Sequence, residues 1–106
     1  MIIREWRGRA LSSRAEAYPS HFRHKVLPEL LALPGFLGAY LTKRHIGDRV
    51  GFLVLTRWQS LDAVTAFAGT ELGKAVVEPG AVAALVDFDA TVRHYEVLEE
   101  ASVNPP

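Results

Sequence analysis

Ten consecutive residues, Arg49 to Trp58, read RVGFLVLTRW and have no polar face. Taken as a β-strand with period two, one side holds Val50, Phe52, Val54 and Thr56, and the other holds Gly51, Leu53 and Leu55. A strand in a small antiparallel sheet normally alternates apolar and polar residues, because one of its faces is wet. Here both faces need a cover. A chain of 106 residues builds one core, so its own helices can cover only one side.

The rest of the chain supplies the partners of that strand. Ile2 to Arg9 is a strand candidate rich in Ile, Trp and Arg. Ser13 and Glu16 stand at capping-box spacing, so a helix is expected from near Ser13, with Tyr18, Phe22, Val26 and Leu30 along one face. Pro19 and Pro28 each remove a donor, so this helix is expected to start late, kink or end irregularly. After LPGFLG, Ala39 to His45 reads as a second strand, turning at Gly47-Asp48 into the third. Ser60 caps a second helix bearing Leu61, Val64, Phe67 and Ala68, and TELGKAVV is expected to continue it as a short helical turn. Ala81 to Phe88 is ambiguous, and Ala90 to Glu99 is the final strand.

The order βαββαβ predicts an α+β, ferredoxin-like fold. It has a four-stranded antiparallel sheet, spatial order 4-1-3-2, with both helices on one face. One domain is expected over residues 1–100, with 101–106 a flexible tail. Residues 1–53 hold nine Lys/Arg against four Asp/Glu, and residues 54–106 hold three against eight. Pairing of the first and last strands would bring Arg4, Arg7 and Arg9 against Glu96, Glu99 and Glu100.

Composition removes several function classes. The formal net charge is zero, which gives no general attraction to nucleic acid or anionic membrane. There are no cysteines, so disulfides, thiolate catalysis and Cys-ligated zinc are excluded. MIIREW lacks the apolar core of a signal peptide, and no run approaches the roughly 20 apolar residues that span a bilayer. A cytoplasmic protein is expected.

The uncovered face of strand three has two candidate covers. The RNA-recognition motif shares this topology, but it needs two or three stacking aromatics with basic neighbours, and this strand offers mainly Gly, Val, Leu and one Phe. A second copy of the chain suits an apolar face better, giving a homodimer through sheet faces.

The stretches MIIREWRGR, LPGFLGAY, LTRWQSLDAVTAFAG and TVRHYEVLE, with Trp58, Ser60 and Phe67 at the strand-three exit, resemble the antibiotic biosynthesis monooxygenase family of dimeric α/β-barrel proteins. The resemblance implies a cleft between sheet and helices and, in some members, cofactor-free oxygenation of phenol- or anthrone-type aromatics. In that chemistry the substrate is deprotonated and itself gives an electron to O₂, so neither flavin nor metal is required. The protein then supplies a dry cleft, a base and donors for an oxyanion. A non-enzymatic binder of a small apolar ligand would use the same cleft.

Candidate site residues follow. Trp6 aligns with a strand-one position that is catalytic in some relatives. Trp6 and Trp58 could line the cleft, with core or interface packing as the alternative, and Phe67 reads as wall. His94 is the candidate base, with a structural histidine as the alternative reading. Tyr95 points to the opposite side and replaces it if the strand parity is reversed. His21 and His24 could share a helix face, but no third metal ligand is evident, and solvated helix residues are the preferred reading. The heme-degrading members need an Asn, a Trp and an iron-ligating His where this chain has Trp6, Phe67 and Val77. No heme chemistry is expected.

Overall fold

The computed structural model describes residues 1–103. β1 (Ile2–Leu11) leads through a 3₁₀ turn (Ser12–Arg14) into a helical segment made of α1 (Ala17–His21), a π-helical turn (Phe22–Val26) and α2 (Leu27–Leu31). β2 (Phe36–Ile46) and β3 (Arg49–Trp58) form the hairpin, turning at Gly47-Asp48. α3 (Leu61–Ala68), α4 (Pro79–Ala84), β4 (Asp87–Phe88) and β5 (Arg93–Glu96) complete the chain. The sheet runs β2-β3-β1, and β4 and β5 share the far side of β1. All pairings are antiparallel. The helices lie on one face, as the pattern requires.

The first helix starts later than Ser13. Its N-cap is Glu16, without a side-chain capping bond, so the capping box does not form. Pro19 explains the delay. Starting at Ala17 puts Pro19 in the first turn, where N–H groups have no intrahelical partner to lose. Pro28 has a different effect. It offers no N–H and its ring crowds the carbonyl four residues back, at His24, and the turn just before it widens. There Leu27 N–H reaches the Phe22 carbonyl, an i to i+5 bond.

The second helix keeps its cap, since Ser60 Oγ accepts from Ala63 N–H. The expected continuation through TELGKAVV is not helical. Gly69 leaves α3 at φ +73°, a conformation that side chains disfavour, and the chain then runs extended. There it pairs with the end of the molecule: Lys74 bridges Thr91, Ala75 N–H donates to the Ala90 carbonyl, and Val92 N–H to that of Gly73. The last strand is shortened for the same reason. Residues 90–92 leave β1 for residues 73–75, so β1 is paired in two pieces, by β4 at Gly8 and Arg9 and by β5 at Ile2 to Glu5.

That register redirects the charges. Ile2 lies opposite Glu96, so Glu99 and Glu100 run past the start of β1 and do not meet its arginines. Arg9 pairs with Asp87 and Asp89, Arg93 with Glu5, and Arg57 with Glu100. Arg4 lies opposite His94.

The core sits between the sheet and the helices. Val50, Phe52, Val54 and Trp58 from β3 meet Tyr18, Phe22 and Leu30 from the first helical segment. Of the expected tail, 101–103 form no regular structure and are exposed, and 104–106 lie outside the described residues. No helix among the described residues is long and apolar enough to cross a membrane.

Candidate functional site

β1 presents Ile2, Arg4, Trp6, Gly8 and Ala10 to the helices. Arg4 is the only charged member of that row. It and Trp6 form the sheet-side wall of a cavity of about 50 Å³, together with Val54 and Thr56 of β3. The helical side is closed by Tyr18, His21 and Phe22, and one end by Phe67. Val76 and Glu78 close it from the extended segment that follows α3.

Arg4 is 4% exposed. One guanidinium nitrogen donates to the Leu72 carbonyl at 2.8 Å and lies 3.0 Å from His94 Nε2, and the other donates to the Lys74 carbonyl at 3.0 Å. Its carbon stands 5.8 Å from the Phe67 ring centre, a cation–π contact. Among the described residues it forms no ion pair. Burial lowers its pKa to about 10, so it remains a cation at neutral pH. A buried cation normally has an anionic partner, because desolvating a charge is expensive. Three neutral acceptors are all this one has, and its remaining N–H groups are free to meet an anion in the cavity.

His94 is on the helix-facing side of β5, the parity expected. Its Nε2 can only accept from the arginine, so the ring is neutral with the proton on Nδ1. Burial first, and the Arg4 charge second, lower its pKa. Its basic lone pair is thus taken up inside the protein. Tyr95 pairs opposite Ile3 on the outer face, 46% exposed, away from the cavity. Trp6 contributes its ring to the wall, tilted 5.8 Å from Tyr18, but its indole N–H is bound to the Asp89 carbonyl at 2.8 Å. Trp58 is fully buried behind the wall. It packs on Phe67 and Phe36 at 5.9 and 5.2 Å and donates to Thr56 Oγ1. The structure therefore gathers Trp6, Phe67 and, through Arg4, His94. It leaves Trp58 as a support and Tyr95 on the other face.

The four ionisable wall residues, Arg4, Tyr18, His21 and Glu78, were not read from the sequence as lining the cleft. Strand alternation could have found Arg4, the single charge among the inward-facing positions of β1. Tyr18 was assigned to the apolar stripe, and it is buried; burial first and the Glu78 carboxylate second raise its pKa well above the ordinary tyrosine value. It is a neutral donor. His21 follows Tyr18 by three positions and shares its face, whereas His24 is exposed, its Nδ1 2.8 Å from the Ser20 carbonyl. The preferred reading of both as solvated holds for His24 and is corrected for His21, whose Nε2 is buried. Among the described residues no group of three His, Asp or Glu side chains could hold a metal ion.

The chamber is small and largely apolar, and it brings together one cation without an ion pair, a neutral phenol, a carboxylate, an imidazole and aromatic walls. Residues 1–79 match the model of the antibiotic biosynthesis monooxygenase family. The chain belongs to that family. No curated protein matches the chain. Solved structures of the same fold include a Deinococcus radiodurans protein assigned as an antibiotic biosynthesis monooxygenase, 17% identical with a TM-score of 0.65, covering 99% of this chain and 100% of that one. A second is the heme-degrader MhuD from Mycobacterium tuberculosis with two hemes bound, 18% identical, TM-score 0.64, covering 96% and 100%. A third is a Streptomyces coelicolor monooxygenase in complex with nanaomycin D, 13% identical, TM-score 0.57, covering 99% and 92%. At these identities the likeness carries the fold alone.

Proposed function

We propose that this antibiotic biosynthesis monooxygenase family member is a cofactor-independent oxygenase of small phenol- or anthrone-type aromatics. The observation that carries the reading is Arg4, a buried guanidinium without a counter-ion on the wall of an apolar, aromatic chamber. Such a group is suited to bind a substrate as its oxyanion and to stabilise it in a site that excludes water. The anion then gives an electron to O₂. The resulting radical pair combines to a peroxide at carbon, and loss of water leaves a carbonyl. Overall, CH₂ and O₂ become C=O and H₂O. Trp6 and Phe67 sandwich the ring, and Tyr18 donates to a substrate oxygen.

The chamber of about 50 Å³ holds a water molecule or two, far below the roughly 300–1,000 Å³ of typical ligand pockets. Substrate entry therefore moves a wall. The segment carrying Val76 and Glu78 is the element to move, because it is extended chain held by Arg4 and one β-bridge.

The reading includes a homodimer through the outer sheet face, where Leu53 and Leu55 are only half-covered by their neighbours. Heme degradation is not proposed, since the position assigned by resemblance to the iron ligand is Val77, which has no donor atom. Added heme is expected to show no ligand-shifted Soret band and no turnover with a reductant.

A second reading, a binder without turnover, is favoured by one observation. Trp6 N–H and His94 Nε2 both already have partners within the protein. Oxygen uptake decides between the two. With anthrone as the only reductant, uptake should exceed the buffer rate and yield anthraquinone; saturable binding with uptake at the buffer rate would establish the binder.

A further inference from the structure

Among the described residues two buried side-chain nitrogens lack a hydrogen-bond partner, Nε of Arg57 and Nε2 of His21. Arg57 lies on the outer face beside Gly38, donates from another nitrogen to the Leu37 carbonyl and approaches Glu100. The His21 nitrogen is different, because its ring lines the cavity. Buried polar groups are almost always paired, so an orphaned ring nitrogen beside a chamber points to a partner that arrives with the ligand.

The ring is also held in place. A Cβ at Gly80 would lie 2.5 Å from His21 Nδ1 and 2.7 Å from Cε1, closer than atoms can approach. Position 80 thus stays glycine while the imidazole sits against the start of α4. On its own helix the ring packs beside Tyr18, with centres 6.2 Å apart. The other ionisable side chains on the cavity wall are Tyr18, Glu78 and, across it on the sheet, Arg4.

We propose that His21 is the general base of this site, and that its substrates release a proton at one end of a conjugated ring while charge appears at the other. This rests on the oxygenase reading above for its substrate class. The C–H bond breaks, its proton passes to His21 Nε2, and the electron pair moves through the ring to a carbonyl oxygen facing Arg4. Nothing is oxidised in this step. The placement of the groups supports it: His21 lines the cavity from the helix and Arg4 lines it from β1. An anthrone carries its acidic carbon and its carbonyl on opposite sides of the central ring, so its two reacting ends would face different walls. Two other ionisable groups fit less well. His94 gives its lone pair to Arg4, and burial keeps Tyr18 protonated.

Anaerobic mixing with 1,8-dihydroxyanthrone, followed by the absorbance of its anion, isolates the proton transfer from oxygen chemistry. The wild-type protein should form the bound anion. His21→Ala and His21→Asn should form it about 10²–10⁴-fold more slowly, with ligand binding changed only a few-fold and added imidazole restoring part of the rate to His21→Ala. Gly80→Ala keeps the imidazole but displaces it, and should reproduce the loss in a folded protein. Anion formation at the wild-type rate in the His21 variants overturns the assignment. So does loss in Glu78→Gln alone, or a wild-type protein that forms no bound anion. A bound anion that consumes no oxygen would leave His21 as base and end the oxygenase reading. Undiminished oxygen uptake in the His21 variants would do the reverse.

Discussion

Arg4 and Arg9 stand five residues apart on β1 and face opposite sides of one sheet. Arg9, on the outer side, donates to Asp89 at 2.8 Å and to Asp87, and these bonds raise its pKa above the ordinary value. Arg4, on the helix side, has carbonyls, an imidazole and an aromatic ring, and burial lowers its pKa. The pair of Arg9 with its two carboxylates is complete within the chain. That of Arg4 is not. What faces an arginine on a strand thus decides whether its charge is answered within the chain, and the unanswered one lies at the proposed site.

The largest effect expected from this contrast is on turnover. Arg4→Met should lower kcat/KM for anthrone by about 10²–10³-fold, the usual cost of losing an oxyanion donor. Arg9→Met should leave it within a factor of two. Equal losses in both variants, measured by oxygen uptake, would break the comparison.

Next comes assembly, which tests the outer face as a whole. Leu53→Lys or Leu55→Lys should convert a dimer at micromolar concentration into monomer or aggregate in sedimentation velocity. A wild-type monomer at every concentration would remove the second copy as the cover of that face.

A smaller effect is expected on stability, where Arg9 should contribute little. Arg9→Met removes two ion pairs that are partly open to water, and should cost about 0–1 kcal/mol in urea denaturation. A cost well above that would mean that β4 depends on Arg9 to stay on β1.

The smallest effect concerns His94. Its folded-state pKa lies below the ordinary histidine value of about 6.5, so the unfolded chain binds the proton more tightly. Its contribution is fully present above about 6.5 and is lost as pH falls through that value towards the lower folded-state pKa. His94→Gln should therefore flatten part of the decline in Tm between pH 7 and 5. An unchanged slope would show that the Arg4–His94 contact carries no proton linkage.

Much of the architecture could be read before any coordinates. β3 has the bounds that RVGFLVLTRW implies, Ser60 caps α3, and the strand order matches the βαββαβ pattern. The errors came where non-local pairing competes with local propensity. TELGKAVV looked helical, but its backbone finds residues 90–92 instead. The last strand looked ten residues long, and a six-residue share of it went elsewhere or ran past the end of β1. Of the site, Trp6 and Phe67 were legible as wall, whereas His94 was placed on the right face with its lone pair unexpectedly engaged.

By itself the sequence determined which residues share a face. Periods of two and 3.6 follow from backbone geometry, so the inward row Ile2, Arg4, Trp6 and the helical neighbours Tyr18 and Phe22 are properties of the chain alone. Partners across the fold are another matter. That Arg4 meets only neutral acceptors, that Asp87 and Asp89 go to Arg9, and that His21 has an unpartnered Nε2 while its ring lies against Gly80 depend on how segments far apart in the chain meet. Only the tertiary structure decided these, because a charge or lone pair acquires its chemical role from the groups that desolvate it and the groups that fail to answer it.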